Sequence, residues 1–328
     1  IHNFSNDPVP GVSYINNSVY TYTPPTRMLL LEDIPSPYVT GLLDDVTSDA
    51  KARGLILNVV IETDRGCPYQ CTFCDWGSLV YQKVRKLSLD RVFQEITWIA
   101  DNNIELVQQA NANFGMFIER DGAIIDHLIT ENKRTGWPKF FDGSWAKNLK
   151  PAHLELVEKL VDQGLFRRFS ASVQSFNPKT LEVIKRKNTT DFQLLLDLCH
   201  KKNIPISTEL ILGLPGESAD SFKQGIAYCI KNNIVSYTSL LTVLENSELN
   251  NPEYIKTHNI QSVSMYPDTN TDVKNSYVDP TNLLVGHSLL TRSEYVDLVI
   301  WTHLVTHIYS YRAYNHIINK LASSTTNL

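Results

Sequence analysis

The sequence predicts an α/β fold: a partial (β/α)6 barrel over residues 51–250, an extended proline-rich lead-in over 1–50, and a loop plus helical extension over 251–328. Three observations predict it. Strand-like and helix-like segments alternate from residue 51 onward, which calls for a parallel sheet with right-handed crossovers. Six strands follow one another with no dinucleotide-type glycine fingerprint, so a partial barrel suits them better than a doubly wound sheet. The length, 328 residues, is one that α/β barrels use as a single unit.

Each element has its own reason. In the lead-in, Pro8, Pro10, Pro24, Pro25, Pro35 and Pro37 remove donors and fix the backbone, favouring extended chain. Strands are expected over 55–61, 105–110, 139–143, 168–173, 205–212 and 235–243. Helices are expected over 88–102, 151–163, 178–187, 191–203 and 218–232. The first of these is the clearest: Ser88 can cap it, and Leu89, Val92, Phe93, Ile96, Ile99 and Ala100 share one face. Gly164, Asn203 and Asn232-Asn233 stand where helix C-termini prefer such residues. A barrel of this kind places its chemistry at the C-terminal ends of the strands.

Composition narrows the class. Hydrophobic residues make up 42%, enough for a sizeable core. The formal charge is -5, from 30 Lys+Arg against 35 Asp+Glu, and no basic run argues for nucleic acid. The apolar run 55–61 is far shorter than the roughly 20 residues of a membrane span. The segment Tyr295–Tyr309 is broken by Asp297, His303 and His307. No secretory leader is visible. Five cysteines, three of them within eight positions, fit metal binding in a reducing compartment better than a disulfide framework. Cytoplasmic localisation is the default expectation.

The first predicted strand runs directly into Gly66-Cys67-Pro68-Tyr69-Gln70-Cys71-Thr72-Phe73-Cys74-Asp75-Trp76-Gly77. Thiolates select soft metals and iron–sulfur clusters. An electron-transfer cluster takes four thiolates; here only three are local. Three ligands on a four-iron cluster leave one iron open for another molecule, as catalytic metal sites keep an open position. A structural zinc knuckle is the alternative and would want a fourth ligand. The remaining thiols, Cys199 and Cys229, lie in predicted helices, where a free Cys packs as a small hydrophobe.

This Cys-x3-Cys-x2-Cys loop, with Phe73 before the third cysteine, resembles the signature of the radical S-adenosylmethionine (SAM) superfamily. The resemblance implies a radical SAM-type partial TIM-like barrel and a four-iron four-sulfur cluster on Cys67, Cys71 and Cys74. It also implies Phe73 beside the SAM adenine and reductive cleavage of SAM to a 5′-deoxyadenosyl radical, chemistry carried by the cofactor. The segment Ser170–Asn177 is similar to the coproporphyrinogen-dehydrogenase-like branch. There the residue matching Gln174 bonds the SAM ribose and the one matching Arg186 meets its carboxylate. An amide suits hydroxyls and a guanidinium forks onto a carboxylate; the plainer reading is a strand-end cap and a solvated arginine. Glu209 matches an acidic ribose-binding position. Leu212 ends the strand expected against adenine, ahead of Gly213-Leu214-Pro215-Gly216-Glu217. Family members usually end their second strand in a Gly-Gly-Glu-like motif holding the SAM amino group. Here that region reads Gln109-Ala110-Asn111-Ala112-Asn113, so Asn111 and Asn113 are the two alternatives.

Leu31–Tyr38 followed by Glu62–Pro68, and later Leu244–Tyr254, look like cobalamin-binding radical SAM enzymes, over residues 8–250. That implies cobalamin as a further cofactor and methyl transfer as the reaction. Residues 1–50 are too few for a cobalamin domain and no Asp-x-His-x-x-Gly motif occurs, so that domain lies upstream of Ile1 or belongs to a lineage that lost it. Two alternatives stand beside this reading: a cobalamin-independent radical SAM enzyme, and a non-enzymatic iron–sulfur electron-transfer protein. The enzyme would need an external flavodoxin- or ferredoxin-like electron donor.

Beyond Tyr254 the rhythm is lost. The polar stretch 265–281 reads as a long loop, of the kind that can cover a barrel mouth. Residues 292–321 read as one or two helices carrying Trp301, Tyr309, Tyr311 and Tyr314. His303 and His307 stand at i, i+4 but lack the Glu of a His-Glu-x-x-His motif, so they read as ordinary helix-face histidines. The 323–327 tail is polar and is expected to fray.

Overall fold

The computed structural model describes residues 11–16, 19–24, 31–76, 83–147, 150–188, 192–265 and 281–310. Outside these lie Gly77, Pro8, Pro10, Pro25, most of the 265–281 stretch, Tyr311, Tyr314 and the 323–327 tail.

Inside the stretch read as extended chain, strands β1 (Ser13–Asn16) and β2 (Val19–Tyr22) form an antiparallel hairpin. Helix α1 (Asp44–Ala52) follows, with Asp44 and Asp45 in its first turn and Lys51 in its last, matching the helix dipole. Proline density hid both elements.

The barrel strands are β3 (Asn58–Ile61), β6 (Leu106–Phe114), β7 (Phe140–Trp145), β8 (Phe169–Gln174), β9 (Ile206–Leu212) and β10 (Val235–Leu240). Between β3 and β6, the two-residue strands β4 (Asp64–Arg65) and β5 (Arg85–Lys86) pair antiparallel. The helices are α2 (Leu89–Asp101), α3 (Ile118–Thr135), α4 (Pro151–Asp162), α5 (Pro178–Val183), α6 (Phe192–Lys201) and α7 (Ala219–Lys231). Ser88 caps α2, accepting from Arg91 N at 3.3 Å, and Val92, Ile96, Ile99 and Ala100 are buried beneath it. Gly164, Asn203 and Asn233 all adopt left-handed backbone, with φ of 70°, 53° and 55°.

Helix α3 was not expected. Its N-cap, Phe117, makes no side-chain cap bond. Asp121 inside the helix supplies the cap instead, its Oδ2 accepting from Gly115 N at 2.9 Å and Phe117 N at 3.1 Å. A cap set inside the helix leaves no Ser/Thr/Asp/Asn signal at the boundary.

The ladders form two parallel half-sheets, β3-β6-β7 and β8-β9-β10. Among the described residues no ladder joins β7 to β8. The seam is packed by aromatic rings, Trp145 stacking on Phe169 at 5.9 Å. A cavity of about 230 Å³ runs along it, with Trp145, Phe169, Ser172 and Asn188 among its walls.

After β10 come α8 (Pro252–His258), the antiparallel pair β11 (Gln261–Met265) and β12 (Thr281–Gly286), and α9 (Arg292–Ser310). The extension is therefore part strand, part helix. It is tied to the barrel by Leu284 N to Leu241 O at 2.9 Å and Val243 N to Asn282 O at 2.7 Å. No described helix is long and apolar enough to cross a membrane.

Candidate cluster and cofactor site

The cysteine loop leaves the end of β3, at a strand C-terminus as barrels require. Cys67 and Cys71 are buried and Cys74 is half-buried; all three thiols are free. The loop is sewn to distant elements by Thr72 N to Ile184 O at 3.1 Å and Leu249 N to Thr72 O at 2.9 Å. Among the described residues no three His, Cys, Asp or Glu side chains converge on one ion. Cys199 and Cys229 are fully buried in α6 and α7. Both pack in the hydrophobic core, and burial pushes their thiols up to about 12.

Two polar side chains reach the cysteines. Asn113 Nδ2 donates to Cys67 Sγ at 3.3 Å, and Arg186 Nη1 stands 3.9 Å from Cys71 Sγ. Arg186 is buried, donating to Ser172 O and to Asn188 Oδ1 at 3.1 Å. Burial lowers its pKa, and the three cysteines, Cys71 foremost, pull it back up. That sets a buried guanidinium beside Cys71, and the solvated-arginine alternative falls.

The two asparagines of β6 differ sharply. Asn111 Oδ1 accepts from Thr63 N at 2.8 Å and Asp64 N at 3.3 Å. Its Nδ2 donates to Thr63 Oγ1 at 2.7 Å and to Asp64 Oδ2. Both ends of this amide are engaged inside the protein. Asn113 Oδ1, in contrast, is buried with no partner, and a buried unpaired acceptor asks for a donor. Both amide atoms of Gln109 are also buried and unpaired; only the tertiary structure singles this residue out.

In the second half-sheet, Gln174 ends β8 with φ 70°, a left-handed backbone that a non-glycine residue rarely adopts. Such strain gathers at functional positions. Glu209 is exposed on β9 and accepts from Ser172 Oγ at 3.0 Å. Leu212 is fully buried. Phe73 is half-buried against Ile184, Leu214, Leu241, Val243 and Leu284. Gly213, φ 99°, lets Leu284 and Tyr295 approach to 3.3 Å of where a Cβ would stand. His303 and His307 lie on exposed α9, their rings 3.9 Å apart, far along the chain from this site.

A buried charge group that sequence reading missed lies beneath the loop: Asp64, Arg120 and Asp121. Burial and the nearby Asp121 push Asp64 up to about 7, partly offset by Arg120 and the Asn111 hydrogen bond. Burial also raises Asp121, against its backbone hydrogen bonds to Phe117 and Gly115.

Three thiols at the mouth of an α/β barrel, with a buried arginine and an unpaired carboxamide beside two of them, make up the candidate site. The profile of the Radical SAM superfamily matches residues 61–229, and the chain belongs to that family. Its cofactors are a four-iron four-sulfur cluster and SAM, and the residues above fit them. The chain is 33% identical over 307 residues to the cobalamin-dependent radical SAM methyltransferase TokK of Streptomyces tokunonensis, covering 90% of this chain and 45% of that one. It is 32% identical over 299 residues to 2-(S-pantetheinyl)-carbapenam-3-carboxylate methyltransferase of Streptantibioticus cattleyicolor, covering 88% of this chain and 43% of that one. The chain thus spans less than half the length of these relatives. Among solved structures, TsrM of Kitasatospora setae with cobalamin and its iron–sulfur cluster bound aligns with a TM-score of 0.56 at 14% identity, over 87% of this chain and 55% of that one. This last likeness is one of fold.

Proposed function

We propose that this chain is the catalytic barrel of a cobalamin-dependent radical SAM methyltransferase. The observation that carries the reading is the three-thiol loop with Asn113 Oδ1 buried and unpaired beside Cys67. When bound, the cluster supplies one electron to SAM, and cobalamin supplies a route for the methyl group.

The chain's own residues bind and orient. Cys67, Cys71 and Cys74 hold three irons. Asn113 accepts a hydrogen bond from the SAM amino group through Oδ1, while its Nδ2 stays on Cys67. Arg186 meets the SAM carboxylate; its burial beside Cys71 makes that ion pair stronger than a solvated one. Gln174 and Glu209 face the ribose hydroxyls from adjacent strands, and Phe73 packs on the adenine side. Asn111 is assigned no cofactor contact, because its amide is already consumed by Thr63 and Asp64. A flavodoxin- or ferredoxin-like donor in the cytoplasm delivers the electron.

Anaerobic reconstitution with iron and sulfide, followed by dithionite and SAM, tests the reading. Cluster formation with release of 5′-deoxyadenosine or methionine is expected, and methyl transfer only with added cobalamin. A cluster that binds but never cleaves SAM would favour an electron-transfer protein.

A further inference from the structure

The loop that carries the three cysteines is closed at its base by very little of its own. Among the described residues, the backbone ladder at its neck holds two antiparallel pairs, Asp64 with Lys86 and Arg65 with Arg85, plus Leu87 N to Thr63 O at 3.0 Å. A two-stranded contact of this size is not stable by itself. Something outside the loop must hold it.

That something is a pair of adjacent residues at the start of α3. Arg120 Nη2 donates to Thr63 O at 3.0 Å and to Leu87 O at 2.6 Å, one carbonyl on each side of the neck. Asp121, the next residue, accepts from Gly115 N at 2.9 Å with Oδ2, tying down β6 two residues past Asn113. Arg120 Nη1 and Asp121 Oδ1 face each other at 3.8 Å, with side chains 12% and 0% exposed. One side of this dipeptide therefore holds the cysteine loop and the other holds the strand bearing Asn113. From the β6 side, Asn111 grips Thr63 and Asp64.

We propose that Arg120 is a positioning residue whose clamp on the loop neck, backed by Asp121, sets the cluster's place relative to the SAM-binding end of β6. This rests on the function proposed above and adds a residue that touches neither cofactor. Buried hydrogen-bonded charges are suited to the task, since residues behind metal ligands fix their orientation. Both bonds leave the same nitrogen, Nη2, so one end of the guanidinium constrains both strands of the neck at once.

The test compares wild type, Arg120→Gln and Arg120→Lys as reconstituted protein. Iron and sulfide content, the reduced cluster's EPR spectrum with and without SAM, SAM affinity, and the melting temperature of the cluster-free chain are measured. Arg120→Gln is expected to assemble the cluster yet bind SAM at least tenfold more weakly, with the SAM-induced spectral change reduced. Arg120→Lys should fall between the two, because it keeps the charge but its shorter stem ends before the position that Nη2 holds. A purely structural role would lower the melting temperature and leave affinity and spectrum per loaded cluster unchanged, and that result overturns the proposal. If Arg120→Gln does not fold, Arg120→Lys decides: wild-type SAM affinity there is the overturning result. Should wild type load the cluster and show no response to SAM, the functional reading fails. The clamp is then judged by the cluster's midpoint potential, and equal potentials in all three proteins overturn it.

Discussion

The two half-barrels treat their polar side chains in opposite ways. In the half built from β3, β6 and β7, Asn111 and Arg120 are bonded to backbone atoms at the base of the cysteine loop, and Asp121 holds the end of β6. In the half built from β8, β9 and β10, side chains are held more loosely or under strain. Glu209 is exposed with Ser172 as its hydrogen-bond donor, Gln174 sits at a left-handed φ of 70°, and Glu217 has a buried carboxylate oxygen without a partner. The first half ties down the metal loop while keeping Asn113 Oδ1 and the Gln109 amide unpaired on β6; the second keeps Gln174, Glu209 and Glu217 for an organic ligand. The difference follows from what each ligand needs. A cluster loop must be held in place, whereas an amide with both ends used within the protein, as in Asn111, cannot meet a cofactor.

Four measurements would break or sharpen that contrast. The largest effect belongs to Cys71→Ala. It should abolish the four-iron cluster and all SAM cleavage, read as iron content and 5′-deoxyadenosine; retained cleavage would remove Cys71 from the ligand set. Next, Asn113→Leu should keep the cluster but weaken SAM binding tenfold or more, about 1.4 kcal/mol or greater. Asn111→Ala should instead lower cluster loading. The opposite pattern in a SAM titration would swap the two roles.

Glu217 probes the second half by pH. Burial pushes its carboxyl from 4.5 up to about 7, with hydrogen bonds from Ser175 and Ser221 acting the other way. The folded chain thus binds this proton more tightly than the unfolded one. Its stabilising contribution is complete below pH 4.5 and is lost as pH rises through 7. Glu217→Gln cannot ionise, so it should be more stable than wild type by about 1–3 kcal/mol at pH 8. The two should converge near pH 4, and parallel urea curves across that range would contradict the buried-carboxyl picture. The smallest effect is Gln174→Gly. Relief of the left-handed backbone should stabilise the chain by about 1 kcal/mol while weakening SAM binding. A gain in both would mean that Gln174 contributes nothing to the site.

Much of this was legible in the residues because it is local. The Cys-x3-Cys-x2-Cys spacing, the Ser88 cap and the left-handed Asn203 and Asn233 depend on neighbours within a few positions, and the structure carries the cap and the left-handed turns as expected. The six barrel strands were readable from their apolar runs, with boundaries shifted by at most four residues. Helix α3 was not, since its cap is Asp121 acting backwards from within. The β1–β2 hairpin and α1 were masked by prolines and β11 by its polar composition, while β12 carries only a short apolar run, Leu283–Val285.

The sequence alone determined the metal chemistry, because ligand type and spacing are properties of a short segment, and it determined the fold class, because strand–helix alternation admits few topologies. Only the tertiary structure decided which asparagine is free to meet a cofactor and what closes the cysteine loop. Those outcomes rest on hydrogen bonds between residues 48 and 57 positions apart. No periodicity or motif encodes such a pairing; it exists once β6 and α3 have been brought against the base of the loop.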